Sequence, residues 1–122
     1  MYRKLNTMEK KWLDKLLDTD FKGKDILVKQ ISKSQVTYEK EYAFISLKFE
    51  EVNSIEEYPY PVRVPVEMRA YQEEGAPIVF LLHIIDGLVN ELEIISADSS
   101  QIIEDAISLK NVEYEVNKEV LL

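Results

Sequence analysis

The sequence predicts an α+β fold in which two N-terminal helices pack on an antiparallel β-meander of five to six strands. Three observations carry that expectation. Apolar residues recur at helical spacing over the first thirty or so positions, and from Val36 onward the period drops to two. Residues 78–95, IVFLLHIIDGLVNELEII, then read as two apolar strands joined by Asp86-Gly87. That dipeptide suits a two-residue type I′ turn, because both residues tolerate the positive φ such a hairpin needs. The chain has 122 residues, enough to bury a core as a single domain, 1–122.

The first helix is well signalled. Asn6 suits the N-cap, and Glu9, at the third helical position, can reach back to complete a capping box. Leu5, Met8, Trp12, Leu13, Leu16 and Leu17 form one apolar stripe, with Lys10, Lys11, Asp14 and Lys15 on the other side. The helix is expected to stop near Asp18, with Phe21 and Gly23 in the connection. A second, shorter helix over residues 24–32 would bury Ile26, Leu27 and Ile31, and must dock on something to be stable.

Strand patterns follow. Ala43, Ile45, Leu47 and Phe49 alternate with Tyr42, Phe44, Ser46 and Lys48; Val62, Val64, Val66, Met68 and Ala70 alternate with Arg63, Pro65, Glu67 and Arg69. Pro65 lacks a ladder donor, so its strand is expected at an edge or bulged there. Between the two patterns EEVNSIEEYPYP is acidic and turn-rich, the expected mobile loop. Residues 72–76 read as the turn into the hairpin, SADSSQ as a polar break after it, and residues 98–110 fit no single pattern. Val112, Tyr114 and Val116 alternate with Glu113, Glu115 and Asn117 as a final edge strand.

Composition narrows function. Cysteine is missing, which removes disulfides, thiolate metal sites and thiol nucleophiles, and fits a reducing cytoplasmic location. MYRKLNTMEKK lacks the apolar core of a signal peptide, and the run over residues 76–85 is too short to span a bilayer, so no membrane partner is expected. Residues 1–38 carry net charge +4 and residues 39–122 carry −12. An acidic, β-rich body repels phosphate backbones, which argues against nucleic acid and toward a basic protein partner. Excess carboxylates also keep a small domain soluble without any partner.

His83 is the sole histidine. A straight hairpin pairs Ile85 with Leu88 and His83 with Asn90. One face then carries Val79, Leu81, His83, Ile85, Leu88, Asn90, Leu92 and Ile94; the other carries Phe80, Leu82, Ile84, Val89, Glu91, Glu93 and Ile95. That parity excludes a His–Glu metal site or catalytic pair inside the hairpin and makes His83–Asn90 a satisfied polar pair in a core. Glu91 and Glu93 lie two apart, as do Glu113 and Glu115. Such pairs arise on any solvated strand face, yet on a shared face they would form an acidic patch. Tyr42, Phe44, Tyr58 and Tyr60 suit either a structural role or a groove beside the Pro-rich loop. Three scattered glycines make no phosphate-cradling loop, and no Ser-centred elbow motif is present.

RKLNTMEKKWLDKLL, the turn Phe21-Lys22-Gly23-Lys24-Asp25, the segment Arg63-Val64-Pro65-Val66-Glu67 and LLHIIDGLVNELEII together resemble a family of small bacterial proteins known as a domain of unknown function. The likeness covers roughly residues 2–104, and its most specific part is Leu81-Leu82-His83, Asp86-Gly87 and Glu91-Leu92-Glu93. Asp98-Ser99-Ser100 stands where such proteins often have a second Asp-Gly turn. The resemblance implies no activity. By size, charge and fold type such proteins look like immunity proteins of bacterial toxin systems.

The leading expectation is therefore a non-enzymatic, cytoplasmic protein-binding domain, immunity-like, that meets a basic protein with an acidic sheet face. Glu91, Glu93, Glu113 and Glu115 would steer, and exposed Tyr58 and Tyr60 would anchor. No cofactor and no metal is expected. Two alternatives stand beside it: a small-ligand-binding or enzymatic module using His83 and Asn90 in a pocket, and a homo-oligomer paired through an apolar face bearing Phe80, Leu82 and Ile84.

Overall fold

A computed structural model describes residues 1–53, 55–72 and 75–122. Ser54, in the expected acidic loop, and Glu73 and Glu74, in the expected turn before the hairpin, lie outside the described residues. In chain order the elements are helices α1 (Thr7–Leu16) and α2 (Lys24–Ser32), then strands β1 (Val36–Glu41), β2 (Phe44–Phe49), β3 (Val66–Tyr71), β4 (Ile78–Ile85), β5 (Leu88–Ser96) and β6 (Ser108–Val116). No helix among them is long and apolar enough to cross a membrane.

The local signals for α1 act as expected. Asn6 Oδ1 accepts the Glu9 N–H at 2.8 Å and Glu9 Oε1 accepts the Asn6 N–H at 2.9 Å, completing the capping box. Glu9 does more than cap. Its carboxylate is fully buried and takes both Arg3 guanidinium nitrogens, at 2.8 and 2.7 Å. Arg3 in turn bridges to Val36 of β1, so this ion pair ties the start of the chain to the sheet.

Strand order in the sheet is β1-β2-β5-β4-β3-β6, antiparallel throughout. β3, β4 and β5 run as a meander; the β1–β2 hairpin adds to β5 on one side, and β6 adds to β3 on the other. The α+β class and the six antiparallel strands match expectation, while the non-consecutive neighbours are a finding of the structure. Pro65 does not sit at an edge. β3 begins at the residue after it, between β4 and β6, and the Pro65 carbonyl accepts the Asn117 N–H at 2.9 Å. Residues 62–65 therefore leave the ladder, as a missing N–H requires.

Both helices cover one sheet face. Trp12, Leu13, Leu16, Leu27 and Ile31 meet Val36, Ile45, Leu47, Met68, Phe80, Leu82, Leu92 and Ile94, all buried. Trp12 and Phe80 pack edge to face with centroids 6.0 Å apart. Phe80, Leu82 and Ile84 are thus core residues under the helices, which corrects the expectation that they form a face needing a second subunit. Among the described residues no helix lies on the opposite sheet face.

Candidate functional site

The open face is built by the hairpin β4–β5, and its geometry departs from the straight register. Asp86 and Gly87 both take positive φ, 52° and 78°, and Ile85 pairs with Leu88, as a type I′ turn requires. Ile84 then pairs with Val89, but His83 pairs with Glu91, not Asn90. Asn90 is the extra residue of a β-bulge.

Contacts from outside the hairpin flank the bulge. Gln30 of α2 accepts the Val89 N–H at 2.8 Å and donates to the carbonyls of Gly87 and Glu56, each at 2.9 Å. The Ile84 N–H goes to the Arg63 carbonyl at 2.7 Å. With Ile85 and Leu88 as the hydrogen-bonded pair that closes the turn, the Ile84 and Val89 N–H groups point out of the hairpin, and Arg63 and Gln30 satisfy them there. Packing rewards the bulge: Val89, Leu92 and Ile94 now share the core face with Phe80, Leu82 and Ile84.

The bulge overturns the expected parity. Glu91 and Glu93 lie on the same face as His83, and His83 Nε2 is 2.9 Å from Glu93 Oε1. Arg63 Nε donates to His83 Nδ1 at 3.1 Å, which leaves the ring proton on Nε2, donated to Glu93. The exclusion of a His–Glu pair within the hairpin does not hold, and neither does the His83–Asn90 pairing; Asn90 is exposed. The Arg63–His83–Glu93 chain occupies both ring nitrogens and links the Pro-rich segment to β5. Among the described residues no group of three His, Asp or Glu side chains is arranged to hold a metal.

Directly paired residues on antiparallel strands share a face, so the registers map the open surface. One row runs Glu41, Phe44, Ile95, Val79, Arg69, Glu113, and the next runs Glu39, Ser46, Glu93, Leu81, Glu67, Glu115. A third, shorter row is Thr37, Lys48, Glu91, His83. Phe44, Ile95, Val79 and Leu81 make a half-buried apolar strip in the centre, and carboxylates stand on both edge strands.

The four glutamates expected to matter therefore share one face, in two different states. Glu91 and Glu93 are half-buried and held, Glu91 by the Ser46 hydroxyl at 2.6 Å and Glu93 by His83. Glu113 and Glu115 are exposed on β6; Glu113 accepts the Tyr71 hydroxyl at 2.9 Å, and Arg69 lies 2.8 Å from Glu67 and 3.8 Å from Glu115. The pattern of two missed Glu39 and Glu41. Their alternation on β1 was the available signal, and only the β1–β2 register shows which face they take.

Tyr58 is not an exposed anchor. It is 4% exposed, its hydroxyl donates to the Lys22 carbonyl at 2.7 Å, and burial, then the neighbouring Tyr60, pushes the phenol up to about 12. Gly23 makes room for its ring: at φ 78° a Cβ there would stand 2.6 Å from Tyr58. Tyr60 packs edge to face on Tyr58 at 5.3 Å and is half-buried. Both line a shallow groove of about 890 Å³ with Pro59, Pro61, Arg63 and Ile85; His83 and Glu93 do not line it.

No protein-family model, curated protein or solved structure matches the chain.

Proposed function

We propose that this domain binds another protein through the open face of its sheet, without catalysing a reaction, and that the partner presents a basic surface around an apolar knob. The observation that carries the proposal is the layout of that face. An apolar strip of Phe44, Val79, Leu81 and Ile95 lies between edge strands bearing Glu39, Glu41, Glu113 and Glu115. Apolar centre and charged rim is the anatomy of a recognition surface. Glu91 and Glu93 are held by Ser46 and His83, while Glu39 and Glu41 stand exposed on β1 and Glu113 and Glu115 stand exposed on β6 beside Tyr71 and Arg69, where they can steer. An immunity-like role, in which a basic toxin is neutralised by occlusion, belongs to this proposal by analogy of size, charge and fold type.

Mixing the protein with the products of genes adjacent to its own tests the idea. A complex at micromolar concentration is expected, with an association rate that falls as salt rises. The double variant Glu39→Lys with Glu113→Lys should slow association by about tenfold while leaving the fold intact, because both side chains are exposed. Absence of any complex with a basic partner, or association indifferent to both salt and charge reversal, would count against it.

The groove lined by Pro59, Pro61 and Arg63 also supports a small-ligand site, with His83 sensing it through its hydrogen bond to Arg63. Ligand-dependent shifts of the His83 ring signals in NMR would favour it. Unchanged ring signals alongside a tight protein complex would leave the sheet face as the working surface.

A further inference from the structure

The two helices each pack on the sheet and leave a groove of about 730 Å³ between them, on the side of the molecule away from the open face. Its floor is apolar: Leu13, Leu17 and Ile31 are buried, Leu5 is half-buried, and Val28 is 43% exposed. Four lysines rim it, Lys4 and Lys10 along one wall and Lys24 and Lys33 along the other, with Asp14 as the acid among the lining residues. Lys24 is paired with Asp20 at 3.0 Å. Among the described residues no ion pair engages Lys4, Lys10 or Lys33.

We infer that this groove is a docking site for an acidic amphipathic helix of a partner protein. Charge complementarity selects the occupant. Cations stand on both walls and toward both ends, so a ligand with anions spaced along its length satisfies them, whereas a single-chain anion with one head group reaches only one end. Size agrees. α1 has ten residues, roughly 15 Å of helix, which matches a partner helix of about three turns laid alongside. Val28 and Leu5 offer apolar surface that anchors at i, i+3, i+4 and i+7 of such a helix would cover. This surface is independent of the sheet face and opposite to it in charge.

The probe is a fluorescein-labelled peptide of about twelve residues, with leucines at i, i+3, i+4 and i+7 and glutamate or alanine elsewhere. A permuted peptide of identical composition is the control. Fluorescence anisotropy should show saturable binding that weakens with salt, and the permuted peptide should bind at least about tenfold more weakly. Lys10→Glu combined with Lys33→Glu should cost about tenfold, and Val28→Asp about as much. All three positions are exposed, and circular dichroism will confirm that the variants fold. Glu113→Lys should leave peptide binding unchanged, which separates this site from the sheet face. Equal affinity for both peptides, indifference to the lysine and Val28 changes, or no saturation up to about 1 mM would overturn the inference. So would sodium dodecanoate binding at the lysine rim while the peptide does not.

Discussion

Gln30 is 3% exposed, and its amide serves three backbone groups on two other segments: the Val89 N–H and the carbonyls of Gly87 and Glu56. Removing one partner from a buried hydrogen-bonded set leaves the others desolvated and unpaired. Gln30→Ala should therefore lower the unfolding free energy by about 3 kcal/mol, read as a shift in urea midpoint. Glu9 offers a test by pH. Burial alone would raise its pKa, but the Arg3 guanidinium and the Asn6 N–H outweigh burial and hold it below the ordinary carboxylate value. A depressed folded pKa means the group's stabilisation is complete above the unfolded value and is lost as pH falls through the folded one. The wild type should thus lose stability on going from pH 6 to below about pH 4 by more than Arg3→Ala does. At neutral pH Arg3→Ala should cost about 1 kcal/mol, since Arg3 is 41% open to solvent and screening reduces the pair.

At the scale of elements, the helices and the turn were legible in the sequence because their causes are local. Asn6 with Glu9 marks α1, and Asp86-Gly87 marks the reversal. Gly87 is bound to its conformation twice over, by φ of 78° and by Glu57 Cβ, which would stand 2.8 Å from an added methyl. Gly87→Ala should cost about 2 kcal/mol, with a matching drop in thermal midpoint. The bulge was missed because the groups packed around it are distant: Gln30 and Arg63 meet the outward-pointing N–H groups of Val89 and Ile84 from 59 and 21 positions away along the chain. A signal was present nevertheless. Straight pairing placed Glu91 and Glu93 beside Phe80, Leu82 and Ile84, which would bury two carboxylates or expose a core face. Val89 and Leu92, three apart and both apolar, are what a one-residue slip reconciles. Strand order had no such signal. Nothing in the composition of β3 places it between β4 and β6, and Pro65 pointed the other way.

Across the whole molecule, charge is segregated by layer. The helix side carries the lysine-rimmed groove, and the sheet side carries the glutamate-bearing edges. Two partners of opposite sign could then be held at once without contact. Binding the acidic peptide should change the affinity for a basic partner by less than about twofold, measured by titrating one in saturating amounts of the other.

The attachment of β6 to β3 has a kinetic consequence. Val66 meets Val116, as Phe44 meets Ile95, only after some fifty intervening residues have found their places, and of these two attachments only that of β6 leaves a lone edge strand with no hairpin partner beyond it. That closure is expected to form late and to open first. Amide hydrogens along β6 should exchange with deuterium well before those of β4, which lies enclosed between β5 and β3. The carboxylates of Glu113 and Glu115 would then ride on an edge strand that opens early, so that whatever grips them also latches the fold shut.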